Sequence, residues 1–400
     1  MKTGSRSSVF LLAAAVCCAA ARIPPGTPIQ IRLVTELNSS TAKAGQKFEA
    51  LVIAPVVANG RIVMAAGTTV AGHVTQATAA VKPDDQAMLA LAFDEIRDSH
   101  GVKAAVAAKL TSIDNARESI DSEGRIQGIV ASKTGSGRLD QGINKVAEKY
   151  PDFAGILGAV KQAVLKDTDA NIDFKPGVEM TVALTKPLEW NGAASVASVS
   201  AIEPQEALFQ LVNRQPFRTE TRDGARPSDV TNLMFLGNER EIEAAFQKEG
   251  WSPAAKLDPT SKLETFRALA EQRGYQEAPV SVLLLAGQPP DLVYEKSNDT
   301  FAARHHLRIW RRPGSFDGHA VWVASATHDT GIDFSEQDRT FIHKIDSHID
   351  LERAKVVSDL LLTGQVRGLS LVQRADLPQN MFNATGDALM TDGAMAVIQF

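Results

Sequence analysis

Nine residues, Arg304-His305-His306-Leu307-Arg308-Ile309-Trp310-Arg311-Arg312, hold four arginines, two adjacent histidines and a tryptophan. They are the densest chemistry in this 400-residue chain. Read as a strand, the run splits by parity, because successive side chains leave opposite faces. Arg304, His306, Arg308 and Trp310 then share one face, and His305, Leu307, Ile309 and Arg311 the other. The first face is cationic and aromatic, suited to an anion, since arginine forks hold carboxylate or phosphate through paired hydrogen bonds. An edge strand carrying the same charges would serve only to block aggregation.

The surroundings favour a polar pocket. Six of the eight histidines lie between His305 and His348. One nearby stretch supplies His328, Asp329 and Asp333. Another supplies His343, Asp346, His348, Asp350, Glu352 and Arg353. The candidate site is therefore Arg304, His305, His306, Arg308, Asp329, His343, Asp346 and Arg353. Imidazoles and carboxylates can hold a divalent ion such as Zn²⁺, with His306, His343 and Asp346 as the expected ligands. The same groups can do acid–base work, with His306 and His343 exchanging protons while Asp329 or Asp346 orients one ring. No spacing matches a strict metal signature such as His-Glu-x-x-His. Structural roles compete with the chemical ones. Asp350 precedes an apolar-periodic run that ends at Gly364 and suits a helix N-cap. Arg353 can pair with Asp350 or Asp346.

The elements that must position these groups fall into two units. Residues 1–21 read as a secretory signal peptide: Lys2 and Arg6, ten apolar residues (9–18), then small residues before Arg22. The apolar run is too short to span a bilayer, which takes roughly 20 residues. A leader-anchored chain or a lipoprotein through Cys17 or Cys18 are the alternatives. Cleavage would remove both cysteines, and with them disulfides and thiolate sites. It would leave 40 basic against 47 acidic residues, a charge of −7. An acidic chain argues against nucleic-acid binding. The expected location is periplasmic or secreted, with no transmembrane span after cleavage.

Residues 23–190 show period-two apolar runs separated by Gly turns, the pattern of an antiparallel barrel or sandwich. "PGTPIQIRLVTEL" (25–37) is echoed by "PGVEMTVALTKPL" (176–188), which predicts that the first and last strands of one β domain pair. A Gly/Ala-rich stretch within 124–170 reads as a helical insertion. Residues 191–227 read as a linker, and 228–400 as a mixed α+β domain with two or three helices among five or six strands. In that domain Asn238 is a predicted N-cap with Glu241 three residues on.

The motifs "LMFLGNEREIEAAFQKEGW", "RHHLRIWRR", "VWVASATHDTGIDF", "HKIDSHIDLERAKVVSDLLLTG" and "TGDALMTDG" together resemble the LssY-like C-terminal domain of bacteria over about residues 228–400. That family's pattern falls on His305, His306, Arg308 and Trp310, on Thr327, Asp329 and Gly331, and on His343, Asp346, Asp350, Glu352 and Arg353. Its members are often joined to membrane proteins of the DedA or phosphatidic-acid-phosphatase type. The resemblance thus implies work on lipid-linked or phosphorylated envelope molecules. Here a leader and a β domain stand in place of the membrane part. The β domain is similar to secreted and conjugation-channel-type β domains, which implies binding or assembly. Two functions follow. One is an envelope binding or assembly module with a polar His/Arg/Asp pocket, its partner an envelope component or anionic small molecule. The other is a hydrolase of a phosphorylated or anionic envelope molecule, with or without a metal.

Overall fold

A computed structural model describes residues 21–58, 61–134, 168–192, 199–203, 205–222, 226–254, 282–296, 303–335, 340–375, 378 and 380–400. The leader up to residue 20 and residues 135–167 of the expected helical insertion lie outside the described residues.

Alternating burial builds the first unit. Its main strands are β1 (Pro28–Leu33), β2 (Lys47–Val52), β3 (Thr69–Thr78), β4 (Gln86–Arg97), β5 (Ala108–Ile113), β6 (Ile126–Val130) and β7 (Glu179–Leu184). They run antiparallel in the order β5-β7-β1-β2-β3-β4-β6 and curl into a nearly closed barrel. The echoed segments are neighbours, as predicted: Ile29 faces Val182 and Ile31 faces Met180. Ile29, Ile31, Leu33, Phe48, Val70, Phe93, Leu110 and Val182 turn inward to form the core. Gly72 lets β3 cross closely, since a Cβ there would lie 2.2 Å from the Ala92 carbonyl oxygen. Residues 126–130, expected inside the helical insertion, instead form β6 against β4, because buried Ile126 opposite Leu89 completes the barrel core.

The second unit is a mixed sheet of β8 (Leu233–Leu236), β9 (Trp251–Pro253), β10 (Leu292–Lys296), β11 (Arg304–Phe316), β12 (His319–Ser335), β13 (Thr340–Ile345), β14 (Gly368–Gln373) and β15 (Ala394–Gln399). Its order is β14-β15-β8-β12-β11-β10-β9, with β13 paired to β12. β8 and β15 are parallel, and the other pairs named are antiparallel. Three described helices cover it: α1 (Glu206–Asn213), α2 (Glu239–Lys248) and α3 (Ile349–Leu362). Ile242 and Phe246 of α2 and Val356 and Leu360 of α3 pack on Phe235, Leu307 and Ile309. Leu208 and Val212 of α1 pack on Met234, Trp310 and Val323 of the opposite face. The fold is therefore α+β, an antiparallel barrel followed by a mixed sheet with helices.

Two local expectations change. The stretch 191–227 is not simply a linker, because Leu208 and Val212, one helical turn apart, dock α1 into the second core. Asp350 is not the cap of α3. His348 holds that position, and the Asp350 carboxylate in the first turn accepts from Thr391 Oγ1 at 2.7 Å and from the Asp392 amide at 2.6 Å. The capping box of Asn238 and Glu241 on α2 forms as predicted.

Candidate functional site

Parity does divide the nine-residue stretch, and its first seven residues are buried on both faces, with Arg311 exposed. Arg304, His305, His306 and Arg308 are each at most 5% exposed. On one face His306 Nε2 meets Asp329 Oδ2 at 2.7 Å, and Arg304 meets the same oxygen at 3.4 Å. Arg308 donates to Asp229 Oδ2 at 3.2 Å. The two arginines expected to clamp an anion thus meet internal aspartates. Burial lowers His306 to about 4 even beside Asp329 and holds the ring neutral.

The other face is different. His305 is held between two carboxylates, its Nδ1 2.8 Å from Glu352 Oε2 on α3 and its Nε2 2.9 Å from Asp114 Oδ2. Asp114 lies 191 residues earlier in the chain, just past β5 of the barrel. Asn115 follows it with φ +53°, a left-handed conformation that asparagine tolerates, and its Oδ1 accepts from His328 Nε2 at 2.9 Å. His328 is the register partner of His305 on β12, and the two rings stack with centroids 4.3 Å apart. Burial alone would lower His305, but Glu352 and Asp114 outweigh it and raise the ring well above its ordinary value. Burial, and then the charge on His305, lowers His328. Burial would raise Asp114, but its bond to His305 brings it down to about 2. A charged imidazole is therefore stacked on a neutral one.

These groups line a cavity of about 440 Å³ between the two units. The barrel contributes Gln30, Ile53, Ala54 and Asp114. The second unit contributes His305, His328, Asp346, His348 and the α3 residues Leu351, Glu352, Lys355, Ser358 and Asp359. Beside it a buried ion network joins the units. Arg32, on the outward face of β1, pairs with its register partner Glu179 at 2.8 Å, with Asp359 at 2.5 Å and with Glu249. Lys296 and Lys355 reach Glu179 at 3.1 and 2.8 Å, and both also meet Asp359. Three cations thus face three carboxylates. Burial would raise Glu179 and Asp359, but the cations prevail and hold both well below the carboxylate range.

Of the residues expected to form one pocket, His305 and Asp346 line the cavity, whereas Arg304, His306, Arg308 and Asp329 form the sealed cluster on the opposite face. His306 and Asp346, grouped above as metal ligands, are therefore not brought together. The side chain of His343 lies outside the described residues. Arg353 ties α3 to the start of β15, with paired bonds of 2.8 Å to Asp392 and a third to the Ala394 carbonyl. The residues that the sequence reading left out of the site are Asp114, Asn115, His328, Glu352, Arg32, Glu179 and Lys355. One signal pointed at the interface: Arg32 and Glu179 occupy polar positions on the two echoed strands, opposite charges on paired runs. Asp114 carries no such signal.

Asp114, His305 and His328 each offer one ligand atom, and the three atoms lie within 4.8 Å of one another. No helix among the described residues is long and apolar enough to cross a membrane.

No curated protein matches the chain. Among solved structures, ComB10 of the Com type IV secretion system of Helicobacter pylori is 12% identical over 44% of this chain and 94% of its own, with a TM-score of 0.24. The sealed strand, the His305 strand pair and helix α3 all fall within residues 211–395, which match the family model described as LssY C-terminus.

Proposed function

We propose that this chain is a bacterial envelope protein, exported by its leader, that binds a polar, anionic envelope component in the cavity between barrel and sheet. The supporting observation is that both units build the wall: Gln30, Ala54 and Asp114 from one, His305, His328, His348 and Lys355 from the other. Pockets that take small molecules favour such junctions. The test fills the cavity without touching its charges. Glycerol 3-phosphate and a soluble cell-wall disaccharide serve as probes. One of them is expected to raise the melting temperature of the wild-type chain and to leave Ala54→Trp unmoved. A shift of equal size in both proteins would refute the site, and no shift with either probe would refute the ligand class.

A second reading, hydrolysis of a phosphorylated envelope molecule, is supported by the stacked pair itself. A charged His305 beside a neutral His328 on a cavity wall offers one proton donor and one acceptor. Turnover of p-nitrophenyl phosphate, lost by at least about a hundredfold in His328→Ala, would carry it. Absence of turnover in the wild-type chain leaves the binding role alone.

A further inference from the structure

We propose that Asp114, His305 and His328 form a divalent transition-metal site of the zinc type, completed only when the barrel docks on the C-terminal sheet. The proposal deepens the cavity reading by naming a cofactor for it.

Four features of the structure point there. The donor set is two imidazoles and one carboxylate, which suits Zn²⁺ and its first-row neighbours better than Mg²⁺ or Ca²⁺. His305 and His328 are held on adjacent strands in direct register, so the sheet fixes their separation. Asp114 is delivered from the other unit, anchored by its amide bond to the Glu179 carbonyl at 2.9 Å and followed by left-handed Asn115. Glu352 lies 2.8 Å behind His305 on Nδ1, the ring atom away from Asp114. A carboxylate in that place orients a metal-bound imidazole and increases its basicity. The other Glu352 oxygen is buried and has no hydrogen-bond partner among the described residues.

The ion would displace the proton that His305 Nε2 shares with Asp114 and release it to solvent, and the geometry is close to what it needs. Ligand atoms of one tetrahedral zinc lie about 3.4 Å apart, given bonds of about 2.0–2.2 Å. Here His305 Nε2 and Asp114 Oδ2 are 2.9 Å apart, and all three donors fall within 4.8 Å. Drawing His328 in closes a gap of at most about 1.4 Å, the difference between 4.8 Å and about 3.4 Å. With three protein ligands beside a cavity, the fourth position opens toward solvent or ligand, the arrangement of catalytic rather than closed structural zinc sites. The ion would also clamp the two units, because Asp114 alone among the three belongs to the barrel.

The test is equilibrium dialysis of the chelator-stripped chain, without a histidine tag, against Zn²⁺, with bound metal measured by elemental analysis. One equivalent is expected. Asp114→Asn and His328→Gln should each weaken binding by at least about tenfold, and Glu352→Gln by about ten- to a hundredfold. Melting curves in chelator confirm that each variant folds, and the Co²⁺ absorption spectrum gives the coordination number. No bound metal, or binding unaltered in both Asp114→Asn and His328→Gln, overturns the site. The two readings also fail separately. Zinc bound with no effect of Ala54→Trp on the organic probes leaves the metal and removes the ligand. Probe binding without zinc does the reverse.

Discussion

His305 and His306 are neighbours in the chain and stand in two different environments. His306 faces Asp329, Arg304 and Arg308 in a cluster closed off by the sheet's own coverings. His305 faces a carboxylate of the barrel, a carboxylate of α3 and a cavity. Burial dominates the first ring and keeps it neutral, whereas two carboxylates dominate the second and keep it charged. The same residue type thus stands in a closed cluster on one face and on a cavity wall on the other. Access to the cavity makes the difference.

The comparison can be broken in graded ways. The largest effect is expected at the junction that supports the His305 face. Asp359→Ala removes the carboxylate shared by Arg32, Lys296 and Lys355, together with the partner of Trp251 Nε1, and leaves buried cations uncompensated. A loss of about 5 kcal/mol is expected in urea unfolding. A loss under about 1 kcal/mol would mean that the network does not hold the units together.

On the sealed face Asp329→Ala should cost somewhat less, about 3 kcal/mol, because one guanidinium and one neutral imidazole, Arg304 and His306, lose a partner among the described residues. Zinc binding in that variant should match the wild type. Loss of the metal there would merge the two clusters into one site.

Acid provides the next comparison. The folded carboxyl of Asp359 is held below its unfolded value, so the stability it contributes is present above about pH 4 and is lost as pH falls below that. Glu179 acts in the same direction, its folded value near 2 placing its loss between about pH 4.5 and 2. Burial raises Glu249, which works in the opposite direction, and Asp359→Asn therefore isolates the effect. Melting temperatures measured from pH 7 to pH 3 should fall more steeply in the wild type than in Asp359→Asn. Parallel curves would show that the network does not titrate with folding.

The smallest effects separate the two histidine faces most sharply. His306→Ala should cost about 2 kcal/mol through the lost bond to buried Asp329 and leave zinc affinity unchanged. His328→Ala should cost about 1 kcal/mol and abolish zinc binding. His348, whose side chain is 63% exposed at the cavity, should cost under about 0.5 kcal/mol as alanine and alter only probe affinity. Reversal of the first two outcomes would exchange the roles assigned to the two faces.

Much of the architecture was legible in the residues. Period-two burial at Ile29, Ile31 and Leu33, the paired echo at 176–188, the capping box at Asn238 and the parity of Arg304 to Trp310 are all local patterns, and local geometry produces them. The β6 strand and helix α1 were misread because each owes its place to one or two apolar contacts with a distant core, set in small or polar surroundings.

By itself the sequence determined which residues of the nine-residue stretch share a face, since that follows from alternation along one strand. The tertiary structure alone decided which face lines the cavity. Asp114 reaches His305 across 191 residues, through a docking of two units that burial and opposite charge hold together, and periodicity within either unit does not encode that pairing.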